Sequence, residues 1–227
     1  MLENIDLTTI TACHHSAKFI GMLLTSLNQQ MFGDYNIELL FILDHDETDN
    51  TEEMINLLID KEKYKNITII HSEDTREYAK KQIGKDRASG KYIWFIDSDD
   101  WLIYEFGFLT ILNFFKAHQD EPILYIEHMS NMFDLERVKL INIPTHDTSH
   151  AVWSYVFNAE MIRDIKFDLS LEISDATFSR AVFAKFNLPF SIRSIPRTVL
   201  AFYFYNFARL SNQTTKILGL DLLKLCT

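Results

Sequence analysis

Short apolar runs alternate with helical periods over roughly the first hundred residues. LTTITA (7–12) predicts a strand, after which Ser16 stands as a cap for a helix. Phe19, Ile20, Leu23, Leu24, Leu27 and Met31 form its 3.6-residue apolar stripe. IELLFIL (37–43) predicts a second, near-continuous apolar strand. The helix TEEMINLLID follows, with Asn50 or Thr51 able to cap it and Glu52 and Glu53 at the positive end of its dipole. ITIIH (67–71) predicts a third strand, TREYAKKQIGKDRA (75–88) a helix, and KYIWFI (91–96), after Gly90, a fourth strand.

The second half is less regular. GFLTILNFFKAH (107–118) predicts a helix and PILYIEH (122–128) a strand, with 129–150 read as loop and irregular strand. NAEMIRDI (158–165) and SDATFSRAVFAKF (174–186) predict helices, SIRSIPRTVLAFYFYNF (191–207) is β-rich, and TTKILGLDLLKLC (214–226) predicts a closing helix. Strands apolar on both faces, separated by helices, imply an α/β fold with a parallel sheet covered on each side. In doubly wound sheets, ligands bind beyond the carboxyl ends of the strands. Three acidic clusters fall at such ends: DHDETD (44–49), SED (72–74) and DSDD (97–100).

Composition narrows the function. The 227 residues are 47% apolar and 24% charged, with a net charge of −10. Nucleic acid is excluded as a main partner, because a duplex demands a basic surface. No apolar run reaches membrane-span length, and MLENIDLTTI lacks a signal peptide's basic and apolar regions, so a cytoplasmic protein is expected. Cys13 and Cys226 lie at opposite ends of the chain and are expected to be free thiols.

The turn after the fourth strand carries the densest charge. Asp97, Asp99 and Asp100 repel one another, and burial would raise their pKa values. They stay ionised either as a solvated Asp-rich turn or by sharing a cation. Oxygen ligands of this kind suit Mg²⁺ or Mn²⁺, which bind through one or two carboxylates plus substrate phosphates. Such an ion would also let an acidic protein hold a diphosphate.

Four segments carry a resemblance. FIDSDDW resembles the metal-binding DxD segment of the family 2 glycosyltransferases, and IELLFILDHDETDNTEEM their strand-two signature. QIGKDRASGKYIWFIDSDD resembles the run leading into the DxD, and VWSYVFNAEMIRDIKFDLSLEISDATFSRAVF the acceptor-side segment. The resemblance implies a GT-A fold: a Rossmann-like, mostly parallel central sheet flanked by helices, with a smaller mixed acceptor-side region. It implies one domain over 1–227, with residues 1–103 binding nucleotide-sugar and 104–227 facing the acceptor. By the same resemblance Asp99 and Asp100 hold the metal, and Asp97 and Asp99 meet the diphosphate or ribose. Asp44 and His45 lie near the base, Thr11 and Cys13 form its other wall, and Lys81 offsets phosphate charge. From its residues alone, Lys81 reads equally well as an ordinary solvated helix lysine. Asp175 matches the catalytic base, although from its residues alone it reads as a helix cap or first-turn acid.

The activity so implied is a metal-dependent, inverting transfer of a sugar from a nucleoside diphosphate donor to a hydroxyl of a glycan or lipid-linked acceptor. Cell-surface glycan assembly is the expected setting, in the cytoplasm or peripherally at the inner face of the membrane. Three positions depart from the pattern. His45 stands for the acid that commonly reads uracil, Ser174 for the Glu of a Glu-Asp pair, and TACHH for PVYN. His14 and His15 are expected to face solvent. Arg209 and Asn212 fall near the loop expected to close over the donor. A catalytically silent nucleotide-sugar-binding subunit is the rival reading. An Asp-nucleophile phosphatase fits less well, since Trp101 stands where that motif expects Thr or Val.

Overall fold

A computed structural model describes residues 4–46, 48–134, 137–140, 151–171, 175–188 and 197–205. The first half runs β1 (Leu7–Ala12), α1 (Ile20–Gln29), β2 (Ile37–Asp44), α2 (Thr51–Leu58), β3 (Asn66–Ser72), α3 (Glu77–Arg87) and β4 (Tyr92–Phe95). β5 (Trp101–Leu102), α4 (Gly107–Ala117), β6 (Ile123–Asp134), β7 (Arg137–Leu140), a 3₁₀ turn (Val152–Ser154), β8 (Tyr155–Asn158), α5 (Asp175–Lys185) and β9 (Arg197–Tyr205) follow. The described strands form one sheet in the order β3-β2-β1-β4-β8-β6-β9-β5, with β7 on β6. The first four are parallel, whereas β8 joins β4 and β6 antiparallel and carries the sheet into the second half.

Successive strand residues point to opposite faces, and both faces are buried here. Leu39, Phe41 and Leu43 enter one core with Leu23, Leu24, Leu27, Trp94 and Phe108; Leu40 and Ile42 enter the other with Ile10, Phe95, Phe157 and Phe178. That is why the β2 segment reads as an unbroken apolar run. On the second face Phe178 of α5 meets Phe95 and Phe157 edge-on, fixing α5 against the sheet, and stacks on Phe167 with ring centroids 4.2 Å apart.

Several boundaries differ from the sequence reading. α1 starts at Ile20, and the Ser16 carbonyl, not its hydroxyl, receives the Phe19 and Ile20 N–H groups, each at 2.9 Å. Met31 lies past the helix end and is 53% exposed. Asp49, rather than Asn50 or Thr51, satisfies the start of α2, accepting the Thr51 N–H at 3.0 Å. NAEMIRDI is not a helix. Asn158 ends β8, the Ala159 N–H donates to the Lys91 carbonyl at 2.9 Å, and successive turns bury Ile162 and Ile165. β8 itself went unread in the sequence, and β6 extends to Asp134, past the expected end at 128. The closing segment 214–226, Ser174, Arg209, Asn212 and Cys226 lie outside the described residues.

α3 has no broad apolar stripe, yet one side of it is buried. Its inner face carries Lys80 and Gly84, with Lys81 and Lys85 beside them at the same four-residue spacing. Gly84 permits the close approach, since a Cβ there would meet Ile10 Cγ2 of β1 at 2.3 Å. The helix therefore lies directly over the strand ends where the carboxylates gather.

Candidate active site

The parallel order 3-2-1-4 reverses between β1 and β4, and several of the candidate residues gather at the carboxyl ends of these strands. The loops around it are cross-tied. The Ser16 and Ser98 hydroxyls lie 2.8 Å apart, and the Ala17 N–H donates to the Asp49 carboxylate at 2.9 Å. The loop after β1 is thus fastened to those after β4 and β2.

Two buried lysines divide the site. Lys80, 1% exposed, pairs with Asp44 at the end of β2 and donates to the Cys13 carbonyl at 2.6 Å. Asp44 also accepts from His14 Nδ1, so each of its oxygens is engaged. Thr11 and Cys13, expected as a wall for the base, are both buried, and Cys13 sits in the core. His14 is the group this strand end presents outward, with its ring 51% exposed. His14 is exposed, as expected, and one edge of its ring is anchored on Asp44. His45 is exposed on the next loop, 3.7 Å from Glu73.

Lys81 is the second. Its ammonium lies 2.6 Å from Glu77, 3.2 Å from Asp97 and 3.4 Å from Asp175. At 1% exposure it is no solvated surface lysine, which settles that alternative. Burial alone would lower its pKa, but the fields of Asp175, Asp97 and Glu77 outweigh burial and hold it well above the ordinary lysine range. Asp175, the first residue of α5, is 15% exposed at its side chain. Burial pushes its carboxyl up to about 6; Lys81 opposes that rise, and the nearby Glu77 and Asp97 charges add to it. A carboxyl so poised is ionised by roughly ten to one at neutral pH and still basic enough to take a proton.

The acidic turn thus obtains part of its counter-charge from the protein. Asp97 is paired with Lys81, and its carbonyl accepts the Asp100 N–H at 3.1 Å. Asp99 and Asp100 are 5% and 4% exposed, so neither is a solvated surface acid. Among the described residues no three His, Cys, Asp or Glu side chains form a ready-made metal cage. The available donor set is one or two carboxylates whose ion would complete its shell with phosphate oxygens and water, which fits Mg²⁺ or Mn²⁺.

Sequence reasoning missed Lys80, Glu77 and the anchored His14. The readable signal was a lysine pair in the helix after β3, set against three acidic strand ends. α3 also clamps the second half: Gln82 accepts the Phe167 N–H at 3.0 Å, and Lys85 donates to the Arg163 carbonyl at 3.0 Å.

Residues 8–185 match the profile of Glycosyl transferase family 2. The chain belongs to that family. A curated relative, the minor teichoic acid biosynthesis protein GgaB of Bacillus subtilis (strain 168), is 24% identical over 185 residues, covering 76% of this chain and 20% of that protein. The solved TarS 1–349 of S. aureus in complex with UDP superposes with a TM-score of 0.72 at 17% identity, covering 89% of this chain and 61% of that one. The mannosyltransferase PcManGT from Pyrobaculum calidifontis, solved with GDP-Man and Mn²⁺, gives 0.61 at 11% identity, covering 95% and 61%. The chain therefore spans one fifth of the curated relative and about three fifths of these structures. The α/β architecture is that of the GT-A fold, as the family 2 resemblance implied. No helix among the described residues is long and apolar enough to cross a membrane.

Proposed function

We propose that this family 2 domain transfers a sugar from a nucleoside diphosphate to an acceptor hydroxyl, with inversion and with a divalent ion. The observation that carries the reading is the buried Lys81, which joins the diphosphate-side Asp97 to Asp175, a carboxyl that burial raises to about 6 against the opposing pull of Lys81. Asp175 would take the proton from the acceptor hydroxyl as its oxygen bonds to the anomeric carbon. The bond from that carbon to the diphosphate breaks on the opposite side, and the nucleoside diphosphate departs. A Mg²⁺ or Mn²⁺ ion, held by Asp99 and Asp100, would supply Lewis-acid stabilisation of the leaving diphosphate. Lys80 is taken up by Asp44, and Lys81 by Glu77, Asp97 and Asp175, so an added cation would be the natural counter-charge for a bound diphosphate.

The names of the relatives support a cell-surface glycan acceptor of the teichoic-acid kind, and the UDP, UDP-GlcNAc and GDP-Man bound in the solved relatives support a sugar-nucleotide donor. The test is transfer from radiolabelled sugar nucleotides, with Mn²⁺, by the parent and by Asp175→Asn. The parent should transfer, and the variant should keep donor affinity while losing about 10²–10⁴-fold in rate. Transfer by Asp175→Asn at the parental rate removes Asp175 as the base. Donor binding by the parent without turnover on any acceptor would mark a silent binding subunit.

A further inference from the structure

A cavity of about 850 Å³ opens at the other end of the sheet, where the parallel strands begin. The turn into β4 (Ser89, Gly90, Lys91), the ends of α3 and α4 and the turns after β8 line it. From Lys91 to Asp97 the chain advances about 20 Å at a strand's rise per residue, so this cavity is separate from the candidate active site. Its size is that of a small-ligand site. Part of its lining is aromatic, with Tyr92 stacked on Phe115 at a centroid distance of 4.0 Å.

α3 buries three lysines, and only two of them are well matched. Lys80 pairs with Asp44, and Lys81 with Glu77 and Asp97. Lys85, one turn further along and on the wall of this cavity, is 3% exposed at its side chain. It donates to the Arg163 carbonyl at 3.0 Å, but its carboxylate partner among the described residues, Asp86, stands 3.7 Å away and is 54% exposed. Burial lowers the Lys85 pKa, and Asp86 offsets that only in part. A buried ammonium so lightly compensated lacks counter-charge, which a bound anion would supply. Lys116 of α4 lines the same cavity; it is exposed and has no ion-pair partner among the described residues. Lys91 and Arg163 complete the basic lining, the first paired with Asp6 at 3.2 Å and the second with Glu160.

These four cations share the cavity with three carboxylates, Asp6, Asp86 and Glu160. A ligand that is all phosphate would be repelled by the acids, and a neutral one would leave Lys85 and Lys116 uncompensated. A ligand that carries a phosphate and hydroxyls satisfies both signs. Phosphate oxygens accept from ammonium and guanidinium groups, and carboxylates accept from hydroxyls. We propose that this cavity binds a phosphate ester of a sugar or polyol, its phosphate held by Lys85 and Lys116 and its hydroxyls by the carboxylates. A free ester and one unit of a polyol-phosphate polymer present this same chemistry.

Amide ¹H–¹⁵N shifts of the whole chain test the assignment, recorded with a chelator so that no divalent ion occupies the Asp97–Asp100 turn. The probes are glycerol 3-phosphate, glucose 1-phosphate, a glycerol phosphate hexamer, inorganic phosphate and glucose. The esters should shift amides of the Ser89–Lys91 turn and of the turns after β8. They should bind at least about tenfold more tightly than inorganic phosphate or glucose, the scale of one added hydrogen bond to a charged group. Lys85→Met, with its fold checked by a melting curve, and Lys116→Glu, at an exposed position, should each weaken ester binding by at least about tenfold. A hexamer bound more than about tenfold more tightly than glycerol 3-phosphate, beyond the statistical gain of six equivalent units, identifies a polymer as the occupant. Equal affinities identify the free ester. Shifts confined to the carboxyl ends of the strands, affinity unchanged in both variants, or binding by none of the three esters overturns the proposal and leaves the transfer reading untouched.

Discussion

Replacing Lys81 by methionine keeps the length and packing of the side chain and removes one buried charge. In the parent, Asp97 and Asp175 lie 3.2 and 3.4 Å from the ammonium, with 10% and 15% of their side chains exposed. At an effective dielectric near 20, each contact is worth about 5 kcal/mol of Coulomb energy before desolvation is subtracted. Glu77, half exposed, adds less because water screens it. Removing one partner of such a buried group strands the rest, and the measured range for that is about 3–5 kcal/mol. Lys81→Met should therefore lose about 3–5 kcal/mol of unfolding free energy at pH 8, read by urea denaturation. The deficit should also depend on pH. Asp175 already sits at about 6 in the folded chain, and without the ammonium it rises further. Between the unfolded carboxyl value and that raised value the folded state holds a proton the unfolded state lacks, so stability falls as pH rises through the window. The variant's window reaches higher than the parent's. Its deficit should thus shrink as pH falls from 8 to 5, by up to about 1.4 kcal/mol per unit. A deficit below about 1 kcal/mol that stays flat from pH 8 to 5 is what a solvated surface lysine would give, and it would refute the buried-hub account.

The pH–rate profile of transfer should show an acid limb near pH 6, since Asp175 must be ionised to accept a proton; Glu77→Gln, which removes a charge that raises Asp175, should move that limb down. Asp99→Ala and Asp100→Ala should each reduce or abolish the gain in nucleoside diphosphate affinity that Mn²⁺ confers, measured as ligand-dependent melting-temperature shifts with and without the ion. Gly84→Ala should destabilise the fold by about 1–3 kcal/mol, seen as a lower melting temperature, because its Cβ would stand 2.3 Å from Ile10 Cγ2 and α3 would have to lift from β1. Parental stability in Gly84→Ala would show that the helix does not need that close approach.

The sequence by itself determined the elements whose signal is local. Alternate burial on two faces wrote β2 as a continuous apolar run, and the spacing of Leu23, Leu24 and Leu27 wrote α1. The acidic strand ends, hence the end of the sheet where chemistry belongs, were visible for the same reason: charge directly after an apolar strand is a pattern of neighbours in sequence. Tertiary structure decided what those charges meet. Lys80 and Lys81 look like ordinary surface lysines until Gly84 lets α3 settle on β1 and carries them over the crevice, 36 residues from Asp44 and 94 from Asp175. His14 became an anchored ring by the same non-local route, through Asp44. The expected helix at 158–165 failed because its apolar positions found partners in the core through turns, with Ala159 tied to the loop before β4. Local periodicity records which residues leave water, whereas the counter-charge of a buried group is set by whichever element packing brings over it, and no window of adjacent residues contains that information.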